Sequence, residues 1–363
     1  MVASAPTPNF FTKRIIHPLG FTKTYNFWLY FIFGGALVGF ALARVSYLDF
    51  SRNFCPSSGP SSSGNGAAPG ECYYYLNFSQ YKIGILLHLA GVLPASLLAV
   101  LQFTPFIRKR WIIVHRIGGY AALLLYIVGL VGALMIARHA FGGGLDVQAW
   151  VGLAGLASLG CFIVSYINVK RLQIEQHRAW MLRGWFYAGS IITTRLIMII
   201  AAQVIAKQNY HVVWSCAKLA ATVAGNVDLA SSYPACAAFV NGTDPEAVSS
   251  IAATFAVGGP ENTGAALNAA FGMALWVSFA LHAFGVEVYL QLTPKEAQRL
   301  RQISYQRQLE AGMRNPGSAG LTADRLGDAE KWVPAETKEE TKEDGASMAR
   351  TESSDSSADF RVF

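Results

Sequence analysis

The residues best suited to chemistry are three histidines that lie within or beside long apolar stretches of the chain. Two of them follow a basic pair at the same spacing, because six residues separate Lys109 from His115 and Arg171 from His177. If each basic pair lies at the lipid headgroups, both imidazoles enter the bilayer at similar depth near the cytoplasmic face. The third histidine, His88, is expected about 9 Å below the opposite surface.

Histidines at matched depth in membrane helices are typical of proteins that hold b-type haem, whose iron is ligated by neutral imidazole. His88, His115 and His177 are therefore candidate haem ligands, and haem iron is the one metal that the sequence suggests. Arg116 and Arg178 directly follow the inner pair and are candidate partners of an anionic group. A structural alternative stays open, in which the His-Arg pairs bind lipid headgroups and His88 forms a hydrogen bond between helices.

Arg195 is the fourth candidate, because it lies deep inside the fifth apolar stretch. Eleven residues separate it from Ala206, which places the guanidinium about 16 Å from the surface. No Asp or Glu is expected at that depth, so the charge requires carbonyl groups, water, a lipid phosphate or an anionic ligand. Intramembrane charge usually lines a pathway or a pocket. We therefore treat Arg195 as a candidate ligand-binding residue, alongside a structural alternative.

These residues require membrane helices to position them, and the composition agrees. The chain has 363 residues, of which 53% are hydrophobic and only 14% are charged, which excludes a single soluble domain. Lys and Arg form short clusters between apolar runs, not a basic stripe with interleaved aromatics, so nucleic acid is not an expected partner. Six stretches are long enough to cross a hydrocarbon core of roughly 30 Å. The sequence predicts an all-α polytopic membrane bundle with helices near Tyr25–Ser46, Ile83–Ile107, Ile112–Ala137, Val147–Val169, Ala179–Ala206 and Gly264–Leu290.

The distribution of basic residues predicts the orientation. Eleven Lys and Arg residues flank the spans on the side of the N-terminus and six on the other side, which favours cytoplasmic N- and C-termini. The expected organisation is a cytoplasmic segment 1–24, a six-span membrane domain 25–292 with outer loops 48–81 and 207–263, a polar cytoplasmic helix 293–314 and a disordered cytoplasmic tail 315–363. The tail is a candidate region for recruiting protein partners.

Each outer loop carries two cysteines and one acceptor triplet for glycosylation. The cysteines are Cys55 and Cys72 in the first loop and Cys216 and Cys236 in the second, and the acceptors are Asn77 and Asn241. Four cysteines permit three connectivities, of which pairing within each loop is the simplest. This pattern predicts a glycosylated, disulfide-bonded protein of the plasma membrane or of another secretory-pathway membrane.

Several ordered motifs resemble a domain-of-unknown-function family of multi-pass membrane proteins from bacteria and filamentous fungi. They are His88 through Pro94, Gln102 through Arg108, His115 through Tyr120 and His177 through Arg183, followed by Arg195. The resemblance covers roughly residues 83–200 and implies an integral membrane protein with His and Arg in its core, but no particular reaction. The layout is more loosely similar to cytochrome b561-like and ferric-reductase-like haem bundles, which bear matched histidine pairs at both surfaces.

Three functional classes follow from these patterns. The first is a haem-linked membrane oxidoreductase, the form that an enzyme would take here, with haem b as cofactor. The second is a carrier or binding protein for an anionic ligand or lipid at Arg195 and His88. The third is a non-catalytic membrane scaffold. The chain has no phosphate-binding glycine loop, Cys-x-x-Cys site or nucleophile elbow, which argues against a soluble-type hydrolase or nucleotide enzyme.

Overall fold

The computed structural model describes residue 10 and residues 12–56, 66–223, 227–256 and 258–334. Within these ranges the chain is mainly α-helical. The helices are α1 (Thr24–Leu42), α2 (Glu71–Asn77), α3 (Ser79–Phe103), α4 (Pro105–Arg110), α5 (Ile112–Ile136), α6 (Leu145–Lys170), α7 (Ile174–Ile205), α8 (Cys216–Val223), α9 (Leu229–Ser232), α10 (Ala237–Val240), α11 (Pro260–Gln291), α12 (Pro294–Glu310) and α13 (Ala323–Leu326). Single helical turns occur at Thr12–Ile16, Val45–Leu48, Phe50–Phe54, Ala140–Gly142 and Pro234–Cys236.

Six helices are long and apolar enough to cross a membrane: α1 with the turn that follows it, α3, α5, α6, α7 and α11. They coincide with the six predicted stretches, so the all-α polytopic architecture is confirmed. Their ends differ from the prediction because helical backbone extends past the apolar core. The clearest case is α7, which begins at Ile174 and includes the polar turn with His177 and Arg178 before the apolar residues start.

Glycines bring α3 and α5 into close contact. The backbone of Gly91 packs directly against Gly129, and a Cβ atom at Gly91 would lie 2.5 Å from the Gly129 nitrogen. Gly132 packs in the same way against Gly84 and the backbone of His88. Small residues allow this close packing in a bilayer, where apolar side chains gain little by leaving lipid. The contact fixes the position of His88 at the helix interface.

The chain divides into two units. Unit 1 comprises Met1–Ser158 and Trp185–Ala283, and unit 2 comprises Leu159–Gly184 and Phe284–Phe363. In unit 1, the segment between α7 and α11 contains a two-stranded antiparallel sheet of β1 (His211–Ser215) and β2 (Val248–Ala252), in which Val213 pairs with Ser250. The sheet, α8 and α11 bury one apolar core that includes Trp214, Leu219, Ile251 and Leu275.

Unit 2 contains a polar network in place of an apolar core beside α12. The buried Gln308 on α12 donates to the Arg171 carbonyl and the Gln173 side chain, each at 2.9 Å, and accepts from the Gly317 N–H at 2.7 Å. Gln173 also accepts from the Gly320 N–H, and Asn168 from the Leu321 N–H, each at 2.8 Å.

These bonds hold a segment that the composition assigns to the disordered tail. Residues 315–334 make defined contacts in unit 2, including Trp332 against Tyr305 with ring centroids 5.7 Å apart. The physical reason is that side-chain amides, which carry no hydrophobic signal, pair with the backbone of the segment. The rest of the predicted tail, residues 335–363, and residues 1–9 of the predicted N-terminal segment lie outside the described residues.

Candidate ligand-binding site

The candidate site is a group of charges in unit 1, formed by the buried Glu71 and Lys218 and the half-buried Arg195, and named here the Glu71 cluster. Glu71 begins α2, Arg195 lies on α7, and Lys218 lies on α8. Only 4% of the surface of Glu71 and 3% of that of Lys218 are exposed. The carboxylate interacts electrostatically with both cations. Three segments that are distant in sequence therefore meet at one carboxylate.

The sequence around Glu71 explains how the carboxylate reaches this position. Gly70 adopts a φ of 86°, which suits glycine, and turns the chain into α2. A Cβ atom at Gly70 would lie 2.5 Å from the Lys218 side chain and 2.9 Å from Trp214, so only glycine leaves room for them. The neighbouring Cys72 forms a disulfide with Cys55, which anchors α2 to the preceding segment.

Phe141 forms one wall of the site and contacts two members of the cluster. Its N–H donates to Glu71 Oε1 at 2.6 Å, and its ring centroid lies 4.2 Å from the Arg195 guanidinium. The second wall is Phe271, 5.1 Å from the same guanidinium. Phe141 has a φ of 49°, and left-handed backbone costs a residue other than glycine about 1–2 kcal/mol. Strain of this kind often marks functional sites.

Lys218 is held against a third aromatic side chain. Its Nζ atom lies 3.6 Å from the ring centroid of Trp214, a cation–π contact, and the Trp214 indole N–H donates to Asn268 Oδ1 at 3.1 Å. Burial lowers the pKa of Lys218 to about 8, although the negative charge of Glu71 opposes that shift. Lys218 thus remains mainly cationic at neutral pH.

Burial also raises the pKa of Glu71 above its ordinary value, while the Phe141 N–H and the charges of Arg195 and Lys218 oppose the shift. Both shifts have the same origin, because a buried charge loses its hydration. Two cations thus share one carboxylate, and the cluster carries excess positive charge at neutral pH. A further neighbour adds no charge: burial, together with the nearby Arg138 and Lys218, lowers the pKa of His139 to about 4.

The candidate residue His88 lies in the same electrostatic environment as Arg195. Its Nδ1 atom is 2.9 Å from the carbonyl oxygen of Gly129 on α5. The two residues that the carrier hypothesis paired therefore interact electrostatically. It also corrects one expectation, because Arg195 does have an acidic partner. Glu71 reaches it from a segment outside the spans, which helix depth alone does not reveal.

The two inner histidines fall in different units, His115 in unit 1 and His177 in unit 2. His115 lies near the start of α5 in unit 1, and the adjacent Arg116 is exposed. In unit 2, His177 Nδ1 lies 2.8 Å from the Ser165 hydroxyl and 3.2 Å from the Ser165 carbonyl oxygen. Arg178 donates to the Tyr289 hydroxyl at 3.0 Å.

Two further polar residues in the spans have structural partners. His282 has both ring nitrogens engaged, with Nε2 2.8 Å from the Thr193 hydroxyl and Nδ1 2.8 Å from the Phe186 carbonyl oxygen. Glu287 accepts two hydrogen bonds from Arg183, at 2.6 and 2.8 Å. These groups hold helices together, which is the role that the structural alternative gave to intramembrane histidine.

Both predicted disulfides are present, Cys55–Cys72 with Cα atoms 5.5 Å apart and Cys216–Cys236 with Cα atoms 5.6 Å apart. Asn77 and Asn241, the predicted glycosylation sites, are exposed. The residues that sequence reasoning missed are Glu71, Phe141 and Lys218. The one signal for Glu71 is its position beside Cys72, which a disulfide anchors.

Comparison with known proteins supports the membrane assignment. A family model described as "Predicted membrane protein (DUF2306)" matches residues 85–231, a range that holds Arg195 and Lys218 but not Glu71. The chain is also similar to the Ava biosynthesis cluster protein G of Aspergillus versicolor, with 25% identity over 319 residues that cover 75% of this chain and 90% of that protein. No solved structure matches this chain. The chain is thus an integral membrane protein similar to a family without an assigned reaction.

Proposed function

We propose that the chain is a membrane-embedded binding protein or carrier for an anionic, largely apolar small molecule that binds at the Glu71 cluster. The observation that carries this proposal is the charge imbalance: Arg195 and Lys218 both interact electrostatically with the single carboxylate of Glu71, and both lie beside aromatic rings. A buried cation without a full counter-charge is costly, and an anionic ligand would remove that cost.

The chemistry of the walls favours a ligand with a planar apolar body. Phe141 and Phe271 stack on each other with ring centroids 4.3 Å apart, and both lie beside the Arg195 guanidinium. A guanidinium binds a carboxylate or phosphate through two parallel N–H donors, whereas the Lys218 ammonium acts as a compact point charge. Arg195 would orient the anionic group, and Lys218 would add attraction.

The name of the relative from Aspergillus versicolor indicates a class of ligand, the products and intermediates of biosynthesis. Its name assigns that protein to a biosynthesis cluster, and we infer that the ligand of this chain is likewise a product or intermediate of enzymatic synthesis. Such a molecule would partition into the membrane through its apolar body and reach the site from there. This inference rests on the name of the relative and on the aromatic walls together.

The test uses a fluorescent aromatic acid, 1-pyrenebutyrate, and its uncharged methyl ester as matched probes for purified protein in detergent. We expect the acid to bind at least about tenfold more tightly than the ester, as a charge-assisted hydrogen bond implies. Lys218→Gln should remove most of that preference. The matched control is Lys207→Gln, which neutralises an exposed lysine and should leave the preference unchanged. Equal affinity for acid and ester in the wild type would refute the proposal.

A second candidate function is haem binding, because the Nδ1 atoms of two histidines lie within hydrogen-bond distance of carbonyl oxygens. A hydrogen bond from Nδ1 to a carbonyl oxygen leaves the lone pair on Nε2, the form that ligates iron. His88 Nδ1 lies 2.9 Å from the Gly129 carbonyl oxygen, and His177 Nδ1 lies 3.2 Å from the Ser165 carbonyl oxygen and 2.8 Å from the Ser165 hydroxyl. The sequence also predicts His115 as a haem ligand, and Arg116 and Arg178 as partners of the propionates. Bound haem would supply one-electron transfer, and the chain would then be a membrane oxidoreductase.

The absorption spectrum of the purified protein tests this second candidate. A haem protein shows a Soret band that His177→Ala or His88→Ala should reduce, whereas His282→Ala should spare it because both nitrogens of His282 are already engaged. A folded, colourless protein from haem-replete cells would exclude haem. If the acid probe also failed, the non-catalytic scaffold would be the remaining class.

A further inference from the structure

We propose that unit 2 contains a binding site for a phosphate group, separate from the Glu71 cluster. An open cavity of about 430 Å³ is lined by Arg171, Met313, Arg314, Asn315, Ala319 and Arg325. Three of these six residues are arginines and none is acidic. A phosphate ester is the ligand that such a lining fits, because guanidinium groups pair with phosphate oxygens through two parallel hydrogen bonds.

The cavity exists because the residues after α12 fold back on the turn between α6 and α7. Gln308 and Gln173 hold that turn and the backbone at Gly317 and Gly320 together. The turn supplies Arg171, and the segment after α12 supplies the other five lining residues. Buried, fully paired amides of this kind fix a unique arrangement, so the backbone on both sides of the cavity is positioned before any ligand arrives.

Two of the arginines converge on one point of the backbone. The Arg171 and Arg325 guanidinium groups both donate to the carbonyl oxygen of Ala319. Each guanidinium has five N–H donors, and these contacts use one Nη atom of each side chain, so donors remain for a ligand. Arg314 is exposed and, within the described ranges, no hydrogen bond or ion pair to it is found.

One acidic group of this segment, Asp324, is already paired. Asp324 accepts from Arg301 at 2.6 Å and from Ser318. Burial would raise the pKa of Asp324, but hydrogen bonds from Ser318, Arg301, Thr322 and the Trp332 N–H outweigh it and hold the pKa well below its usual value. Asp324 thus stays ionised and bound to Arg301, and does not line the cavity. The positive charge of the cavity is left for an external anion.

The position of the cavity limits the source of the phosphate to two. Arg171 directly follows Lys170, the last residue of the membrane-spanning α6, so the cavity lies near the level of the lipid headgroups. The phosphate would belong either to a phosphorylated lipid headgroup or to a soluble phosphate compound. Both present the same chemistry to the arginines, and the experiment separates them.

The experiment is calorimetric titration of the full chain in a zwitterionic detergent with four probes. They are dioctanoyl phosphatidylinositol 4-phosphate, dioctanoyl phosphatidylcholine, inositol 1,4-bisphosphate and inorganic phosphate. We expect the phosphoinositide to bind and the phosphatidylcholine not to bind. Arg314→Gln should weaken binding by about tenfold or more, as expected for a charge-assisted hydrogen bond. Arg299→Gln is the matched control, because Arg299 is exposed in the same unit and does not line the cavity.

Each outcome has a defined meaning. Binding of the phosphoinositide alone supports a lipid headgroup site, whereas equal binding of inositol bisphosphate or inorganic phosphate supports a soluble phosphate compound. An unchanged melting temperature of Arg314→Gln shows that weaker binding is not caused by unfolding. If no phosphorylated probe binds, or if Arg314→Gln binds as the wild type does, the proposal is overturned. None of these outcomes bears on the Glu71 cluster, which lies in unit 1.

Discussion

At the scale of single residues, Glu71 determines the charge that unit 1 presents to a ligand. Its carboxylate is the negative partner of both Arg195 and Lys218 and accepts a hydrogen bond from the backbone of Phe141. Glutamine at this position would keep an acceptor oxygen for the Phe141 N–H while removing the charge. The substitution therefore separates the structural role of the side chain from its electrostatic role.

We expect Glu71→Gln to increase the affinity for 1-pyrenebutyrate on the order of tenfold, because a buried competing carboxylate is removed. Affinity for the methyl ester should stay constant. Glu261→Gln is the control, since Glu261 is equally buried, at 4% exposed, but accepts a hydrogen bond from Tyr233 outside the cluster. Weaker binding of the acid by Glu71→Gln would show that the carboxylate itself contacts the ligand.

The pH dependence of binding provides an independent test at the same scale. Burial lowers the pKa of Lys218 to about 8, so the cation is lost as the pH rises through that value. Burial raises the pKa of Glu71, so its charge is lost as the pH falls through that raised value. Both changes have the same sign, so affinity for the acid should decrease as the pH rises across the range in which the two groups titrate, with one step near pH 8 from Lys218.

Fluorescence titration of 1-pyrenebutyrate across that pH range measures the effect. The decrease near pH 8 should disappear in Lys218→Gln, and the acid-side change should disappear in Glu71→Gln. Ester binding serves as the control for pH effects on the fold. A profile that is flat near pH 8 in the wild type would show that Lys218 does not contribute charge to the site.

At the scale of elements, the side chain of Gln308 on α12 holds the following segment, residues 313–334, in place through hydrogen bonds. It makes four hydrogen bonds, donating to the Arg171 carbonyl and the Gln173 side chain and accepting from the Gly317 and Ala319 N–H groups. Gln308→Leu would leave buried polar partners unsatisfied, at a cost of about 1–3 kcal/mol for each. We expect faster amide hydrogen exchange across residues 313–334 in that variant.

The matched control is Gln306→Leu, because Gln306 lies on the same helix and is exposed. It adds the same side chain without breaking the network, so exchange in residues 313–334 should match the wild type. Gln308→Leu should also weaken phosphoinositide binding, whereas Gln306→Leu should leave it unchanged, because the cavity needs this segment in place. Equal exchange rates in the two variants would mean that the network does not hold the segment.

The spans and one member of the site, Arg195, could be predicted from the sequence, but Glu71 and Lys218 could not. A membrane span must pair its backbone within itself, so length and apolar content suffice to identify α3 or α7. Lys218 and Glu71 lie in polar segments, where a charged residue is ordinary, and only tertiary contact buries them. The same holds for residues 315–334. Their composition predicts disorder, but the amide side chains of Asn168, Gln173 and Gln308 hydrogen-bond to their backbone.

At the scale of the whole molecule, the contact between the 48–81 and 207–263 segments constrains the topology. Lys218 packs beside Gly70 and lies 5.8 Å from the ring centroid of Tyr74, so both segments are on the same side of the membrane. Four spans separate them in sequence, α3, α5, α6 and α7, an even number that agrees with this arrangement. With both termini in the cytoplasm, as the sequence predicts, that side is the outer side of the membrane.

Glycosylation provides the test of that side. Asn241 is exposed, and its Oδ1 accepts a hydrogen bond from the Thr243 hydroxyl at 2.6 Å, which places the two required residues of the triplet in contact. Asn77 ends α2 two residues before the span of α3, and its side chain donates to the Tyr73 carbonyl. We therefore expect Asn241 to carry more glycan than Asn77 when the protein is made in a eukaryotic host.

Endoglycosidase should increase the gel mobility of the wild type, and Asn241→Gln should remove most of that shift. Thr243→Ala should have the same effect, whereas Thr243→Ser should keep the shift, because serine also completes the acceptor triplet. If no variant shifts and a C-terminal tag is cleaved by protease added to intact cells, the orientation is the reverse. Because the 48–81 and 207–263 segments share one side of the membrane, either result also assigns the side on which the Glu71 cluster meets its polar surroundings.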